Sequence, residues 1–257
     1  MSEPNSHIID QIVAELRHAR RLLFITGAGM SADSGLPTYR GIGGLYNNKL
    51  TDDDLPIEVA LSGEMMARAP QVTWKYIAQI ERACRGAHYN DGHRVIAALD
   101  DRFEGVCVLT QNVDGFHRDA GSRNLIEIHG NIHDLYCMQC DYRRTVADYA
   151  VLAIPPPCPR CEGLLRPNVV LFGELLPEAA IIRLYEELAL GFDMVFSVGT
   201  TSTFPYIADP VIEARRAGIP TVEINPGETV VSDFVDFKLA AGAALCLTRL
   251  WEGLQQP

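Results

Sequence analysis

The sequence predicts an α/β protein: a Rossmann-like, doubly wound parallel sheet carrying a smaller inserted lobe. Three observations point there. Short apolar runs at residues 22–26, 106–110, 194–198 and 221–224 read as strands buried on both faces. Helical patterns lie between them, and strands alternating with helices make a parallel sheet covered on both sides. Two stretches break the alternation, and one of them holds four of the chain's seven cysteines.

The first element is a helix over 7–20, with Ile8, Ile12 and Leu16 on one face at four-residue spacing. The strand at 22–26 then ends in glycine. Further helices are expected at 91–99, 178–190 and 206–217. Residues 41–89 read as a helical module with breaks at Pro56, Gly63, Pro70 and Gly86. Residues 132–167 hold the cysteines and the run Pro155, Pro156, Pro157. The sheet domain is therefore expected to be discontinuous, over 1–40, 90–131 and 168–257, with 41–89 and 132–167 forming the small lobe.

Length and composition exclude several classes. A chain of 257 residues buries roughly 70–75% of its unfolded surface and needs no disulfides to fold. Its 47% hydrophobic and 21% charged residues are those of a globular protein, not a disordered one. No apolar run reaches the roughly 18–20 residues of a membrane helix, and MSEPNSHIIDQ carries no export signal. A net charge of −11 argues against nucleic acid as a partner and suits basic protein substrates. Cysteines without an export signal suggest a reducing, cytoplasmic setting, where metal ligation is favoured over disulfides. A monomer is expected.

The turn Gly27–Ala28–Gly29–Met30–Ser31–Ala32 fits G-x-G-x-x-G/A between a strand and a helix. Glycines let the backbone approach a pyrophosphate, and helix-terminal N–H groups favour its charge. A packed strand–helix turn without ligand would use the same residues. The acidic ribose partner expected about 20 residues on falls at Thr51–Asp52–Asp53–Asp54, inside the inserted lobe, so a ribose would be held another way.

Cys137-x2-Cys140 and Cys158-x2-Cys161, 17 residues apart, have zinc-ribbon spacing. Four thiolates fill a tetrahedral sphere and leave no open position, so one structural Zn2+ is expected. Gln111, Asn112 and Asp114 follow a strand end, where open α/β sheets place ligands. His129 follows another short apolar run, and a histidine suits general-base work near neutrality. His117 is expected to brace the Asn112–Asp114 loop, and His7, His18, His88, His93 and His133 to be structural or surface residues.

Residues 27–41 (GAGMSADSGLPTYRG), 110–121 (TQNVDGFHRDAG), 127–130 (EIHG), 166–174 (RPNVVLFGE) and the four cysteines together resemble the sirtuin family in order and spacing. The resemblance runs from about residue 20 to residue 226. It implies an NAD-dependent protein-lysine deacylase. In that family the acyl-lysine oxygen attacks the nicotinamide ribose, nicotinamide leaves, and a histidine serves as base for a ribose hydroxyl. Lysine and O-acyl-ADP-ribose are released, so NAD is a co-substrate.

Carried over by position, His129 would be the base, with Asn112 beside it. Gly27, Ala28, Gly29 and Ser31 would line the phosphate and ribose region, and Asp33, Pro37, Tyr39 and Arg40 the cofactor loop. Gln111, Asn112 and Asp114 would hold ribose and nicotinamide. Gly199, Thr200, Thr201 and Asn225 would contact phosphates and adenosine. Val170, Phe172 and Gly173 would flank the acyl-lysine tunnel, on a strand able to pair with substrate peptide.

The chain departs from the family at Tyr39 (usually Phe), Phe116 (usually Leu), Thr201 (usually Ser), and in a stretch 199–205 one residue short. Relatives that take acidic acyl groups place Tyr and Arg three apart on a helix. The nearest match, Tyr76 and Gln79, lacks the charged fork, so neutral acyl groups, acetyl first, are expected. Two other functions stay open on the residues: an ADP-ribosyltransferase or NAD glycohydrolase, and a non-catalytic NAD or ADP-ribose sensor.

Overall fold

The computed structural model describes residues 5–38 and 50–256; Tyr39 and Arg40 lie outside them. Helix α1 (Ser6–Leu16) leads into strand β1 (Arg21–Thr26) and the short α2 (Ala28–Ala32). Helices α3 (Ile57–Ala60), α4 (Gly63–Arg68), α5 (Pro70–Cys84) and α6 (Asp91–Leu99) follow. Next come β2 (Gly105–Thr110), α7 (Phe116–Asp119) and β3 (Asn124–Glu127). Strands β4 (Gly130–Cys137), β5 (Arg143–Thr145) and β6 (Leu165–Val169) form a separate antiparallel sheet, ordered β5-β4-β6. The chain ends with α8 (Glu178–Leu190), β7 (Met194–Val198), α9 (Pro205–Arg216), β8 (Thr221–Ile224), β9 (Phe237–Leu239) and α10 (Ala243–Gln255).

The main sheet has the order β3-β2-β1-β7-β8-β9, and every pairing is parallel. Successive residues of a strand point to opposite faces. Leu22 and Phe24 of β1 accordingly pack with Val106, Val108 and Phe196 against α1, α6 and α10. Leu23 and Ile25 pack with Cys107, Leu109 and Val195 against α8 and α9. Burial on both sides is why these strands read as unbroken apolar runs. The rings of Phe24 and Phe196 stack at 4.5 Å across the first face.

The expected first helix stops earlier than residue 20, at Leu16. The chain must turn there to enter the sheet, and Asp193 fixes the turn by accepting from the backbone N–H of both Arg20 and Arg21. Where residues 50–89 are described, Pro56 precedes α3, Gly63 and Pro70 open α4 and α5, and Gly86 sits past the end of α5. These helices share a core with the small sheet: Trp74, Tyr76 and Ile77 pack with Ile132, Leu135 and Tyr149. The Trp74 indole donates to Leu165 O at 3.0 Å, tying α5 to β6.

Candidate active site and metal centre

Five strand ends converge on one crevice. The strands to one side of β1 arrive in chain order β2, β3, those to the other side as β7, β8, β9, so the order reverses beside β1. Ligands of open α/β sheets bind outside the carboxyl ends at such a point. Gly27 follows β1, Gln111 follows β2, His129 lies two residues past β3, Gly199 follows β7 and Asn225 follows β8.

The glycine turn is packed as tightly as backbone allows. Gly29 N–H donates to Gly199 O at 2.8 Å, and a Cβ on Gly29 would stand 2.7 Å from Gly199 Cα. Asn225 Nδ2 donates to Thr200 O at 3.0 Å, so the turns after β1, β7 and β8 form one block. Thr201 is exposed, its hydroxyl 2.9 Å from that of Thr203.

Behind this block lies a buried polar network. Asn112 Nδ2 donates to Gly27 O (3.0 Å) and to Ser31 Oγ (3.1 Å). Ser31 Oγ donates to Asp114 Oδ2 (2.7 Å), and Phe116 N–H donates to Asp114 Oδ1 (3.0 Å). Burial pushes the Asp114 carboxyl up, and these two hydrogen bonds oppose it. Gln111 Nε2 donates to Thr200 Oγ1 at 2.8 Å. Beneath them, Thr26 Oγ1 donates to Thr110 Oγ1, which also accepts from Asn112 N–H at 3.1 Å. His117 Nε2 lies 3.0 Å from Thr26 Oγ1, so His117 braces the strand ends from below.

Ala28, Ser31, Pro37, Asn112 and Asp114 line one narrow cavity, walled by the apolar Leu36, Ile80, Val113 and Ile132. Asp33 turns away from it and accepts from Ala244 N–H at 2.9 Å, tying the loop to α10. Tyr76 is buried and donates to Asp53, which also holds Lys75 at 2.8 Å, while Gln79 is exposed. Those two residues do not form a pair, and Ile80 faces the cavity in their place.

His129 is half-buried, which lowers its basicity. Its Nδ1 lies 3.1 Å from Gln111 O, and its Nε2 lies 2.7 Å from the hydroxyl of Tyr206 on α9. Tyr206 was not singled out by sequence: it reads there only as the first residue of a helix. The available signal was its place directly after the shortened stretch 199–205. Gly130, next to His129, has φ +79°, and a Cβ there would fall 1.8 Å from Asn168 O. Only glycine lets β4 start this close to β6.

The expected strand through Val170, Phe172 and Gly173 does not form: β6 ends at Val169. Val170 N–H donates to His129 O (2.9 Å), and Phe172 pairs with the segment around Ser62 through Leu61 O and Gly63 N–H. Leu171 N–H donates to Glu174, whose carboxylate is held by the buried Arg166 at 2.7 Å. That ion pair curls residues 170–174 into a turn at Gly173, φ +81°. Three consecutive N–H groups are thereby used within the fold, and little of this edge remains for pairing with a peptide.

The four cysteine sulfurs lie within 4.8 Å of one another, with pairs at 3.5–3.7 Å. A tetrahedral zinc with Zn–S near 2.3 Å needs sulfurs about 3.8 Å apart. Backbone N–H groups of Gln139 and Arg160 donate to the sulfurs of Cys137 and Cys158. Cys137, Cys140, Cys158 and Cys161 are thus positioned to hold one metal ion, far from His129 in function: with all four positions filled it supplies no chemistry.

A model of the Sir2 family matches residues 27–204. The chain is 52% identical over 238 residues to NAD-dependent protein deacylase 2 of Pseudomonas aeruginosa, covering 91% of this chain and 93% of that one. It is 35% identical over 235 residues to the NAD-dependent protein deacylase of Aquifex aeolicus, covering 91% and 95%. A crystal structure of a Sir2 homologue–NAD complex superposes with a TM-score of 0.84 at 32% identity, covering 96% of this chain and 93% of that one. Matches of this extent, on a fold and a cysteine cluster of this kind, show that the chain belongs to the Sir2 family, the sirtuins.

Proposed function

We propose that the chain is an NAD-dependent protein-lysine deacylase, with acetyl and other neutral acyl groups as its substrates. The observation that carries this reading is His129 at the crevice of the strand ends, its Nδ1 fixed on Gln111 O beside the network of Asn112, Ser31 and Asp114. Relatives named as NAD-dependent protein deacylases support it at up to 52% identity. NAD, as co-substrate, supplies an anomeric carbon from which nicotinamide departs on attack by the acyl-lysine oxygen.

The residues then divide the work. Gly27, Ala28, Gly29 and Ser31 bind phosphate and ribose, with Asp33, Pro37, Tyr39 and Arg40 in the covering loop. Gln111, Asn112 and Asp114 hold ribose and nicotinamide. Gly199, Thr200, Thr201 and Asn225 serve the adenosine end. His129 takes the proton of a ribose hydroxyl. Val170, Phe172 and Gly173 flank the acyl-lysine. The apolar wall of Leu36, Ile80, Val113 and Ile132 supports a preference for neutral groups. The division into a sheet domain (1–40, 90–131, 168–257) and a small lobe (41–89, 132–167) belongs to the same reading. The shared core of α5 and the small sheet supports it. A monomeric, cytoplasmic setting, and partners that are proteins rather than nucleic acid or membrane, belong to this reading as well. Among the described residues no helix is long and apolar enough to cross a membrane.

The test is incubation with NAD and an acetyl-lysine peptide, followed by mass spectrometry, with His129→Ala beside it. Loss of the acetyl group, matched by nicotinamide and O-acetyl-ADP-ribose and absent in the variant, is expected. Nicotinamide release with the peptide unchanged, or a peptide carrying added ADP-ribose, would overturn the reading in favour of hydrolysis or transfer. Desuccinylation stronger than deacetylation would overturn the acyl preference.

A further inference from the structure

Tyr206 meets His129 in a way that the reaction above does not use. A carbonyl oxygen has no proton to give, so at the 3.1 Å contact with Gln111 O it is Nδ1 that carries the ring proton. In the neutral imidazole Nε2 is then a bare lone pair, and the Tyr206 hydroxyl, 2.7 Å away, is the donor to it. One lone pair accepts one proton donor at full strength. A ribose hydroxyl cannot occupy Nε2 while Tyr206 does.

The hydroxyl is held there by packing. Phe204 stacks on the Tyr206 ring at 5.4 Å and 11°, and both rings present to His129 edge-on at about 6 Å. Burial pushes Tyr206 up to about 12, so it remains a phenol, and a donor, throughout the working range. Burial lowers His129 and the Gln111 carbonyl raises it. The Gln111 carbonyl, Phe204 and Tyr206 face its ring, and of these only Tyr206 titrates.

We infer that Tyr206 is a positioning residue for His129: its hydroxyl caps Nε2 in the free enzyme, fixing tautomer and ring orientation, and yields that nitrogen to the ribose hydroxyl once NAD is bound. The inference rests on His129 acting as base, as proposed above. In the proton-transfer step the ribose O–H bond breaks and an Nε2–H bond forms. The oxygen's electron pair forms a bond to the acyl carbon, whose C=N π pair moves onto the lysine nitrogen, and the imidazolium keeps its Nδ1–H on Gln111 O. Tyr206 keeps its own proton throughout.

The cap favours neutral His129, because Nε2 can be protonated only after the Tyr206 hydrogen turns away and its oxygen becomes the acceptor. Tyr206→Phe removes the hydroxyl and keeps the stacked ring. Titration of His129 by NMR in the free variant is expected to show its pKa raised by about half to one unit, the worth of one net hydrogen bond. The acid limb of kcat/KM, which reports the free enzyme, moves up with it. The acid limb of kcat, which reports the bound complex, stays in place, because Tyr206 has already left Nε2 there. A role in packing alone moves neither the titration nor the limb.

An unchanged His129 titration in Tyr206→Phe would overturn the cap. A kcat limb that shifts as far as the kcat/KM limb would overturn the release. His129→Ala separates the two levels. If that variant still deacylates, the base assignment fails, and with it the release of Nε2 to ribose, while the NMR titration judges the cap by itself.

Discussion

His93 and His117 lie beneath the strand ends with ring centroids 4.7 Å apart, at 0% and 2% exposure. Asn90 N–H donates to His93 Nδ1, so the His93 proton sits on Nε2, which has no partner among the described residues. Burial pulls His93 down to about 4 from an ordinary 6.5 and holds His117 well below its usual range. Between those two values the unfolded chain binds a proton at His93 that the folded chain refuses. Stability therefore rises with pH across this window. It is fully present above about 6.5 and is lost progressively as pH falls toward 4. A shift of that size corresponds to about 3 kcal/mol, most of which disappears between pH 7 and pH 4.5. The assay is urea denaturation of the wild type and His93→Gln at both pH values. Acid also protonates the zinc thiolates and surface carboxylates, but those losses are common to both proteins and cancel in the comparison. The variant is expected to be the weaker protein at pH 7, and the gap to narrow by about 2 kcal/mol at pH 4.5. A gap of the same size at both pH values would refute the reasoning. The consequence reaches the site, because His117 supports Thr26, Thr26 supports Thr110, and Thr110 holds the backbone of Asn112.

Two further predictions concern the small lobe and its junction. The purified protein should contain one zinc per chain by elemental analysis. Stripping it with a chelator, or Cys158→Ser, should strip hydrogen-exchange protection from β4 and β6 while β1, β2 and β7 keep theirs; protection unchanged in the metal-free protein would contradict a structural metal. Gly130→Ala places a Cβ 1.8 Å from Asn168 O at φ +79°. The left-handed backbone alone costs alanine about 1–2 kcal/mol, and the collision adds to it. The pairing of Gly130 with Val169 must open, moving His129, so both the thermal midpoint and deacylation should fall. Wild-type values for both would show that the junction tolerates what the geometry forbids.

The strands and the cysteine cluster were legible in the sequence because local rules decide them. A strand buried on both faces must be apolar at every position, as residues 22–26 are, and a C-x-x-C pair brings its own two sulfurs together. The polar residues after the strands were legible because a parallel sheet delivers all its carboxyl ends to one side. The turn at residues 170–174 was not legible. Its sequence, VLFGE, looks like a continuing strand, and it is curled by Arg166 and by pairing with residues 61–63, more than a hundred positions away. Tyr206 was hidden for the same reason. It is 77 residues from His129 and only the position of α9 on the sheet joins them.

On the function proposed above, the network also bears on how a co-substrate binds. Both donors of the Asn112 amide are used inside the protein, on Gly27 O and Ser31 Oγ. Each Asp114 oxygen already accepts one hydrogen bond, and Gln111 Nε2 is given to Thr200. Side chains so engaged are not waiting to grasp a ligand; they hold each other in place before it arrives. What remains for a ribose or a carboxamide is the second valence of each group: the amide oxygens of Gln111 and Asn112 and the spare lone pairs of Asp114. Binding then costs little reorganisation, since the ordering is done on folding. His129 follows the same logic up to its last atom. Its Nδ1 is fixed, but its Nε2 is already engaged by Tyr206, and on the inference above a ribose hydroxyl displaces this contact rather than adding to it. On that inference ligand binding and the readiness of the base are coupled through a single hydroxyl, the group that Tyr206→Phe removes.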